Sequence, residues 1–293
     1  MKIAVAGKGG VGKTTIAGTL ARLFAREAKE GETVVAVDAD PAMNLKFALG
    51  VKENPAPISE LKDLIFERTA AGASASGSGS ASASGSGSAS ASGSGSASAS
   101  ASAAWTGVYR LNPKVSDIIE RYGARGPDGV TLLVMGTVVQ GGTGCVCPEN
   151  AFLRALLRHL LFKERESTVV LDMEAGVEHL GRGTAKGVDL MLAVVEPGMR
   201  SVETVDRIKK LAEDIGIKKV VAVLNKVTDS GAVEKVEAKL REFGIPLLET
   251  IPYEQALVKA DLEGTAPLDA EAGATAEVVG RIKRIKEKIF LFK

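Results

Sequence analysis

Short apolar runs rich in Val, Ile and Leu alternate along the chain with longer segments in which apolar residues recur every three or four positions. The short runs predict strands over Lys2–Ala6, Thr33–Val37, Thr131–Met135, Thr168–Leu171, Leu190–Val195, Val220–Leu224 and Leu247–Ile251. Several are almost continuously apolar, as expected where helices cover both faces of a parallel sheet. The longer segments predict helices over Thr14–Glu30, Ile58–Thr69, Pro148–Glu166, Ser201–Ile215, Ala232–Phe243 and Ala274–Phe290. This alternation implies an α/β fold, a single domain with a mostly parallel sheet of about seven or eight strands and helices on both faces. In such sheets ligands gather at the carboxyl ends of the strands, so candidate chemistry is sought there.

Residues 73–104 lack any such pattern. They contain only Ala, Ser and Gly, reading ASASGSGS three times and then ASASASAA. With no side chains able to bury surface, the stretch is expected to be flexible coil, and its regularity looks engineered or like a placeholder. The remaining residues, about 260, suit one domain spanning 1–293 around this insert. The 37 basic and 36 acidic residues leave a net charge of +1. That balance gives no general attraction to nucleic acid or to an anionic membrane. No apolar run approaches the ~20 residues of a membrane span, and the chain starts in a strand rather than a signal peptide. The two cysteines, one residue apart, form no secreted disulfide framework. Together these features predict a cytoplasmic protein with no nucleic-acid partner and no stable membrane association.

The first predicted strand runs into Gly7-Lys8-Gly9-Gly10-Val11-Gly12-Lys13-Thr14-Thr15 and then a helix. The spacing fits G-x-x-x-x-G-K-[ST], the phosphate-binding loop. Its glycines let the backbone curl so that the N–H groups of Gly9, Gly10, Val11 and Gly12 turn toward an anion, and the helix adds its positive N-terminal end. Lys13 can reach the β- and γ-phosphates, Thr14 can ligate Mg²⁺, and Thr15 can contact phosphate. Strand, loop and helix together predict a P-loop NTPase domain. Lys8 is a second cation that a standard loop does not need; on residues alone it is either functional or a solvated loop lysine.

Other strand ends carry matching chemistry. Thr168–Leu171 runs into Asp172, the Walker-B arrangement in which a carboxylate supports Mg²⁺, with Gly176 placed for a switch beside the γ-phosphate. Glu174, Glu178, His179 and Arg182 follow, as structural residues or as a switch network. The second strand leads into Asp38-Ala39-Asp40-Pro41. Two such carboxylates either begin a turn that caps a helix or serve the metal and an attacking water. Asn225, at the end of Val220–Leu224, can hydrogen-bond a purine edge and is followed by Lys226. Thr228 stands where a guanine-reading N-K-x-D requires Asp, which favours ATP over GTP.

Cys145-Val146-Cys147 lies between a glycine-rich loop and a predicted helix opening with Pro148. A cysteine beside a helix N-terminus is favoured as thiolate, hence as a soft metal ligand. One pair supplies two sulfurs where a closed site wants four, which a two-fold dimer would provide. The alternative is two loop cysteines with no ligand. His159 falls on an apolar helix.

The loop with Lys8 resembles the deviant phosphate loop, K-G-G-x-G-K-[ST], of the nitrogenase iron protein, cell-division and plasmid-partition ATPases and metal-cluster accessory ATPases. More specifically, three stretches resemble the carbon monoxide dehydrogenase accessory ATPases of the CooC type. They are the loop, Cys145-Val-Cys-Pro-Glu-Asn150, and Asp172 through Lys186; Leu161–Arg165 and Val194-Val-Glu-Pro197 fit the same pattern. The likeness spans the chain except for the insert. It implies an ATPase that hydrolyses ATP to ADP and phosphate with a coupled conformational change. It also implies that Lys8 reaches the partner's nucleotide across an ATP-dependent homodimer. Lys13 and Asp172 would be catalytic beside it, and Asp40 would orient the attacking water. Pro252 and Tyr253 would form a second base-contacting loop. The cysteine pairs would hold Ni²⁺ or Zn²⁺ across the dimer, and the client would be carbon monoxide dehydrogenase, whose Ni–Fe–S cluster receives nickel. Two other functions share this loop. An iron–sulfur carrier or electron-transfer ATPase like the nitrogenase iron protein would want two well-separated cysteines. A membrane-positioning ATPase of the cell-division type has only the basic, amphipathic tail Arg281–Lys293 in its favour, whose apolar face would otherwise dock on the sheet.

Overall fold

The first apolar run forms β1 (Lys2–Gly7), buried at every residue because it lies inside the sheet rather than at its edge. The structure, a computed structural model, describes residues 1–70, 110–136, 147–162, 167–174, 187–270, 273 and 275–292. After β1 come α1 (Lys13–Arg26), β2 (Thr33–Ala39), α2 (Leu45–Leu49), α3 (Lys62–Thr69), α4 (Ile118–Tyr122) and β3 (Ala124–Arg125). Then follow β4 (Thr131–Val134), α5 (Cys147–Phe162), β5 (Ser167–Met173), β6 (Leu190–Val195) and α6 (Met199–Ile215). The chain ends through β7 (Val220–Val227), α7 (Ser230–Glu242), β8 (Leu247–Pro252), α8 (Gln255–Leu262) and α9 (Ala276–Ile289).

The strands form one eight-stranded sheet in the order β3-β4-β2-β5-β1-β6-β7-β8. Every pairing is parallel except that of β3 with β4. Strands β2 to β5 lie on one side of β1 and β6 to β8 on the other, so the carboxyl end of β1 is a topological switch point. Successive side chains face opposite sides of the sheet. Ile3 and Val5 pack with Leu20, Leu49 and Ile282, while Ala4 and Ala6 face the layer of Phe152, Leu156 and Val205. Both faces are therefore covered, as the continuous apolar runs require.

All seven predicted strands are present: β6 has the predicted ends, β7 runs three residues past Leu224 to Val227, and the others differ by one or two residues at an end. The two-residue β3 is too short to carry a period. The first helix stops at Arg26 rather than Glu30, because Glu32 donates its N–H to the Lys29 carbonyl while its carboxylate accepts the Lys29 N–H, closing a polar turn. The predicted 58–69 helix is a 3₁₀ turn, Ile58–Glu60, followed after Leu61 by α3. The short helices α2, α4 and α8 go beyond the helices the sequence predicts, since so few residues show little periodicity. The insert at 73–104 and the predicted helix end at Glu166 lie outside the described residues. In α9, Val278, Ile282, Ile285 and Ile289 are buried in the same cluster as Ile3 and Val5, so its apolar face is docked on the sheet. Its basic face meets β8, where Arg281, Arg284 and Lys288 converge on Glu249.

Arg22, 2% exposed, fixes α1 from its far end. It donates to Asp128 at 2.7 Å and, with both terminal nitrogens, to Asp269 at 2.6 and 2.7 Å. The helix that begins at the phosphate loop is thus tied to the 127–129 turn and to the segment before α9. Replacing Arg22 with Ala should lower unfolding free energy by about 2–3 kcal/mol in urea denaturation, less than for a fully buried pair because Asp269 is 41% exposed and can rehydrate. A loss under about 0.5 kcal/mol, the range of ordinary surface substitutions, would mean the clamp contributes little.

Candidate nucleotide site

A Cβ on Gly7 would lie 2.4 Å from the Val194 carbonyl oxygen, so only glycine lets β1 pass β6 into the loop. Gly10 (φ 80) and Gly12 (φ 94) adopt left-handed backbone, which curls the chain just before α1. Helix α1 starts at Lys13 with no side-chain cap, leaving its first N–H groups for an anion. Lys13 is buried, and its Nζ lies 3.4 Å from the Lys8 carbonyl, folded over the loop. Thr14 and Thr15 follow in the first helical turn, both half-buried.

Two carboxylates meet beside this loop. Asp38 on β2 and Asp172 on β5 are register partners on adjacent strands, and both are fully buried. Asp38 spends its oxygens on the backbone, accepting the N–H of Asp40 at 3.2 Å and of Leu45 at 2.9 Å. It therefore holds the turn into α2, while burial pushes its pKa up to about 6. Asp172 makes no well-formed hydrogen bond through either oxygen among the described residues, although the Thr14 hydroxyl lies near enough to lower its pKa. Burial, aided by the charge of Asp38, pushes it up to about 7, and the pull of Thr14 and Lys13 offsets only part of this. Asp40 is half-buried and accepts the Ala42 N–H at 2.9 Å. An orphaned buried carboxylate beside a threonine hydroxyl and a lysine ammonium fits a hydrated Mg²⁺ next to phosphate. Thr14 would ligate it directly and Asp172 through water. Among the described residues no group of three or more His, Cys, Asp or Glu is arranged to hold a metal by itself.

The other flank comes from β6, β7 and β8. Lys8 pairs with Glu196, just past β6, at 3.5 Å, with both side chains partly exposed. Asn225 donates from Nδ2 to the Val11 carbonyl at 2.8 Å, and Lys226 from Nζ to the Gly10 carbonyl at 2.6 Å. Pro252 ends β8, and Tyr253 beyond it is 48% exposed, its N–H donating to the Val227 carbonyl. The structure thus gathers Lys8, Gly9–Thr15, Asp172, Asn225 and Lys226 at one end of the sheet, with Asp40, Pro252 and Tyr253 at neighbouring strand ends. Cys147 opens α5, but its side chain lies outside the described residues, as do Cys145, Gly176, Glu178, His179 and Arg182. Glu196 falls within the Val194–Pro197 stretch of the resemblance, but its pairing with Lys8 follows only from the adjacency of β6 to β1.

The buried carboxylates make stability depend on pH. A carboxyl whose folded pKa is raised binds its proton more tightly when folded, so stability falls as pH climbs from the unfolded value to the folded one. For Asp172 that window runs from 3.8 to about 7, and for Asp38 from 3.8 to about 6. In EDTA, Asp172→Asn should therefore melt higher than the parent at pH 7.5 by about 5 °C or more, the gap closing toward pH 4. A gap that does not change with pH would contradict the assignment.

The CobQ/CobB/MinD/ParA nucleotide-binding domain family matches residues 2–268. An uncharacterized ATP-binding protein of Methanocaldococcus jannaschii is 41% identical over 290 residues, 99% of this chain and 96% of that protein. The carbon monoxide dehydrogenase accessory protein CooC of Rhodospirillum rubrum is 41% identical over 274 residues, 92% of this chain and 90% of its own length. Among solved structures, the septum site-determining protein MinD of Pyrococcus horikoshii, complexed with Mg-ADP, superposes with a TM-score of 0.61 at 16% identity, over 99% of this chain and 98% of that one. MinD of Aquifex aeolicus gives 0.60 at 18% identity, over 97% and 96%. At those identities the structural likeness speaks for the fold alone. Family and whole-chain relatives agree with the geometry: the chain belongs to the CobQ/CobB/MinD/ParA nucleotide-binding family, within it is akin to CooC, and is an ATPase.

Proposed function

We propose that this ATPase is a metallochaperone that assists nickel insertion into the Ni–Fe–S active-site cluster of carbon monoxide dehydrogenase, cycling through an ATP-dependent homodimer. The observation that carries the reading is the 41% identity to CooC across 92% of the chain. The C-x-C pair at the entry to α5 is consistent with it. In this reading Gly9, Gly10, Val11, Gly12, Lys13, Thr14 and Thr15 bind the phosphates, and Thr14 and Asp172 serve Mg²⁺. Asp40 positions the attacking water. Asn225, Pro252 and Tyr253 line the base side of the nucleotide, and Lys226 takes part in nucleotide binding from the end of β7. Lys8 leaves Glu196 and reaches the partner's nucleotide; an exposed pair at 3.5 Å is weak enough to be exchanged. Each subunit contributes Cys145 and Cys147, so that two subunits supply four thiolates to the cargo, Ni²⁺ or Zn²⁺. ATP bound by both subunits tightens the dimer, and hydrolysis relaxes it and releases the metal. The docked apolar face of α9 gives the membrane-positioning alternative no support.

Metal content per subunit, after nickel loading with an ATP analogue, tests the cargo. The parent should hold about half an equivalent of nickel, one ion per four thiolates, and Cys145→Ser/Cys147→Ser should lose it. Iron with sulfide in the parent would instead favour an iron–sulfur carrier, and cysteine-independent metal would reject the shared site. Lys8→Ala should weaken ATP-dependent dimerisation in analytical ultracentrifugation; an unchanged monomer–dimer equilibrium would rule out the trans role.

A further inference from the structure

The end of β7 departs from regular strand geometry where it meets the phosphate loop. Its pairing with β8 shifts register between Leu224 and Val227, and Lys226 takes a left-handed backbone at φ 59. Along a regular strand, neighbouring side chains point to opposite faces. The irregularity breaks that alternation, so consecutive residues both reach the same loop. Asn225, 9% exposed, donates to the Val11 carbonyl, and Lys226 donates to the Gly10 carbonyl. The approach is close: a Cβ on Gly12 would stand 2.4 Å from Asn225 Nδ2. A lysine gains nothing from the left-handed region by itself, and such conformations persist where their surroundings fix them, often at functional sites.

A loop that aims its N–H groups at an anion has to turn carbonyls the other way. Left to water, those carbonyls place no limit on how the loop folds. Donors fixed to the sheet hold them in one arrangement and so keep the N–H groups convergent before any ligand arrives. We propose that Lys226, with Asn225, is a positioning residue that braces the outward carbonyls of the phosphate loop and so sets affinity for the polyphosphate group, whatever base is attached. This rests on the reading of Gly9–Thr15 as the phosphate site and is independent of the metal cargo.

Inorganic tripolyphosphate carries the phosphates and no base or ribose, so it separates a brace from a nucleoside contact. The test compares Mg²⁺–tripolyphosphate and Mg²⁺–ATP affinities of the full chain, by calorimetry, for the parent, Lys226→Met and Lys226→Arg. The comparison is made at about 0.5 M salt, where an exposed charge such as that of Lys226 is largely screened and a loss reports the brace. Lys226→Met keeps an unbranched side chain at the same backbone position and removes the donor together with its charge. It should weaken both ligands by the same factor, about three- to tenfold, and Lys226→Arg should recover both to within about twofold. Should the methionine variant fold poorly, Lys226→Gly, which adopts φ 59 freely, takes its place with the same expected loss. A loss confined to ATP would make Lys226 a base or ribose contact and overturn the brace, as would no loss for either ligand. Lys13→Ala is the control on the site: if it still binds tripolyphosphate like the parent, the phosphate-site reading has failed rather than the brace.

Discussion

A carboxylate with no well-formed hydrogen bond is among the most expensive groups a protein can bury, and among the described residues Asp172, between β2 and β1, has none. Much of the surrounding architecture follows from it. The parallel register brings Asp38 alongside, and the charge of Asp38, whose oxygens hold the turn into α2, adds to the cost of ionising Asp172. The groups able to offset its charge are on the phosphate loop, Lys13 and Thr14, and they do so only in part. A hydrated Mg²⁺ bound beside it would offset with its charge the burial cost that holds this carboxyl up at about 7.

Rigidity is what allows the fold to tolerate this. Asp172 lies in a sheet packed on both faces, and the helix that carries Lys13 and Thr14 is held at its far end by Arg22. The loop between β1 and α1 is narrowed by β6 behind Gly7 and by β7 beside Gly12. Chemistry at this end of the sheet is therefore shared among strand ends that are distant in sequence: β1, β2, β5, β6 and β7. Such an arrangement suits a switch, since a ligand that changes the position of one strand end is felt by its neighbours.

The parts legible in the sequence were those whose signal is local. The apolar runs were long enough to mark seven strands, and the spacing of Gly7, Gly12 and Lys13 specified strand, loop and helix together. Asp172 could be read because an apolar strand runs straight into it. What stayed hidden depends on strand order or backbone detail. On residue type alone Asp38 and Asp40 look alike, and the resemblance picks out Asp40; only the fold shows that Asp38 is consumed in holding the turn. The Lys8–Glu196 pair requires β6 to lie beside β1. The contact of Lys226 with Gly10 requires a left-handed residue at a strand end, and no neighbouring glycine or proline announces it. Five-residue helices such as α2 and α4 are stabilised by what they pack against, and so leave little trace of their own.

We propose that Asp172 is about half protonated in the free protein at pH 7 and gives up that proton when a Mg²⁺–nucleotide complex binds. Calorimetric titration with Mg²⁺–ATP at pH 7, repeated in buffers of different ionisation enthalpy, counts protons released on binding. With a pKa of about 7, the parent should release about half a proton more than Asp172→Asn, the nucleotide's own proton exchange cancelling between the two. Equal release by parent and variant would contradict the proposal, and with it the link between this buried carboxyl and the nucleotide's metal.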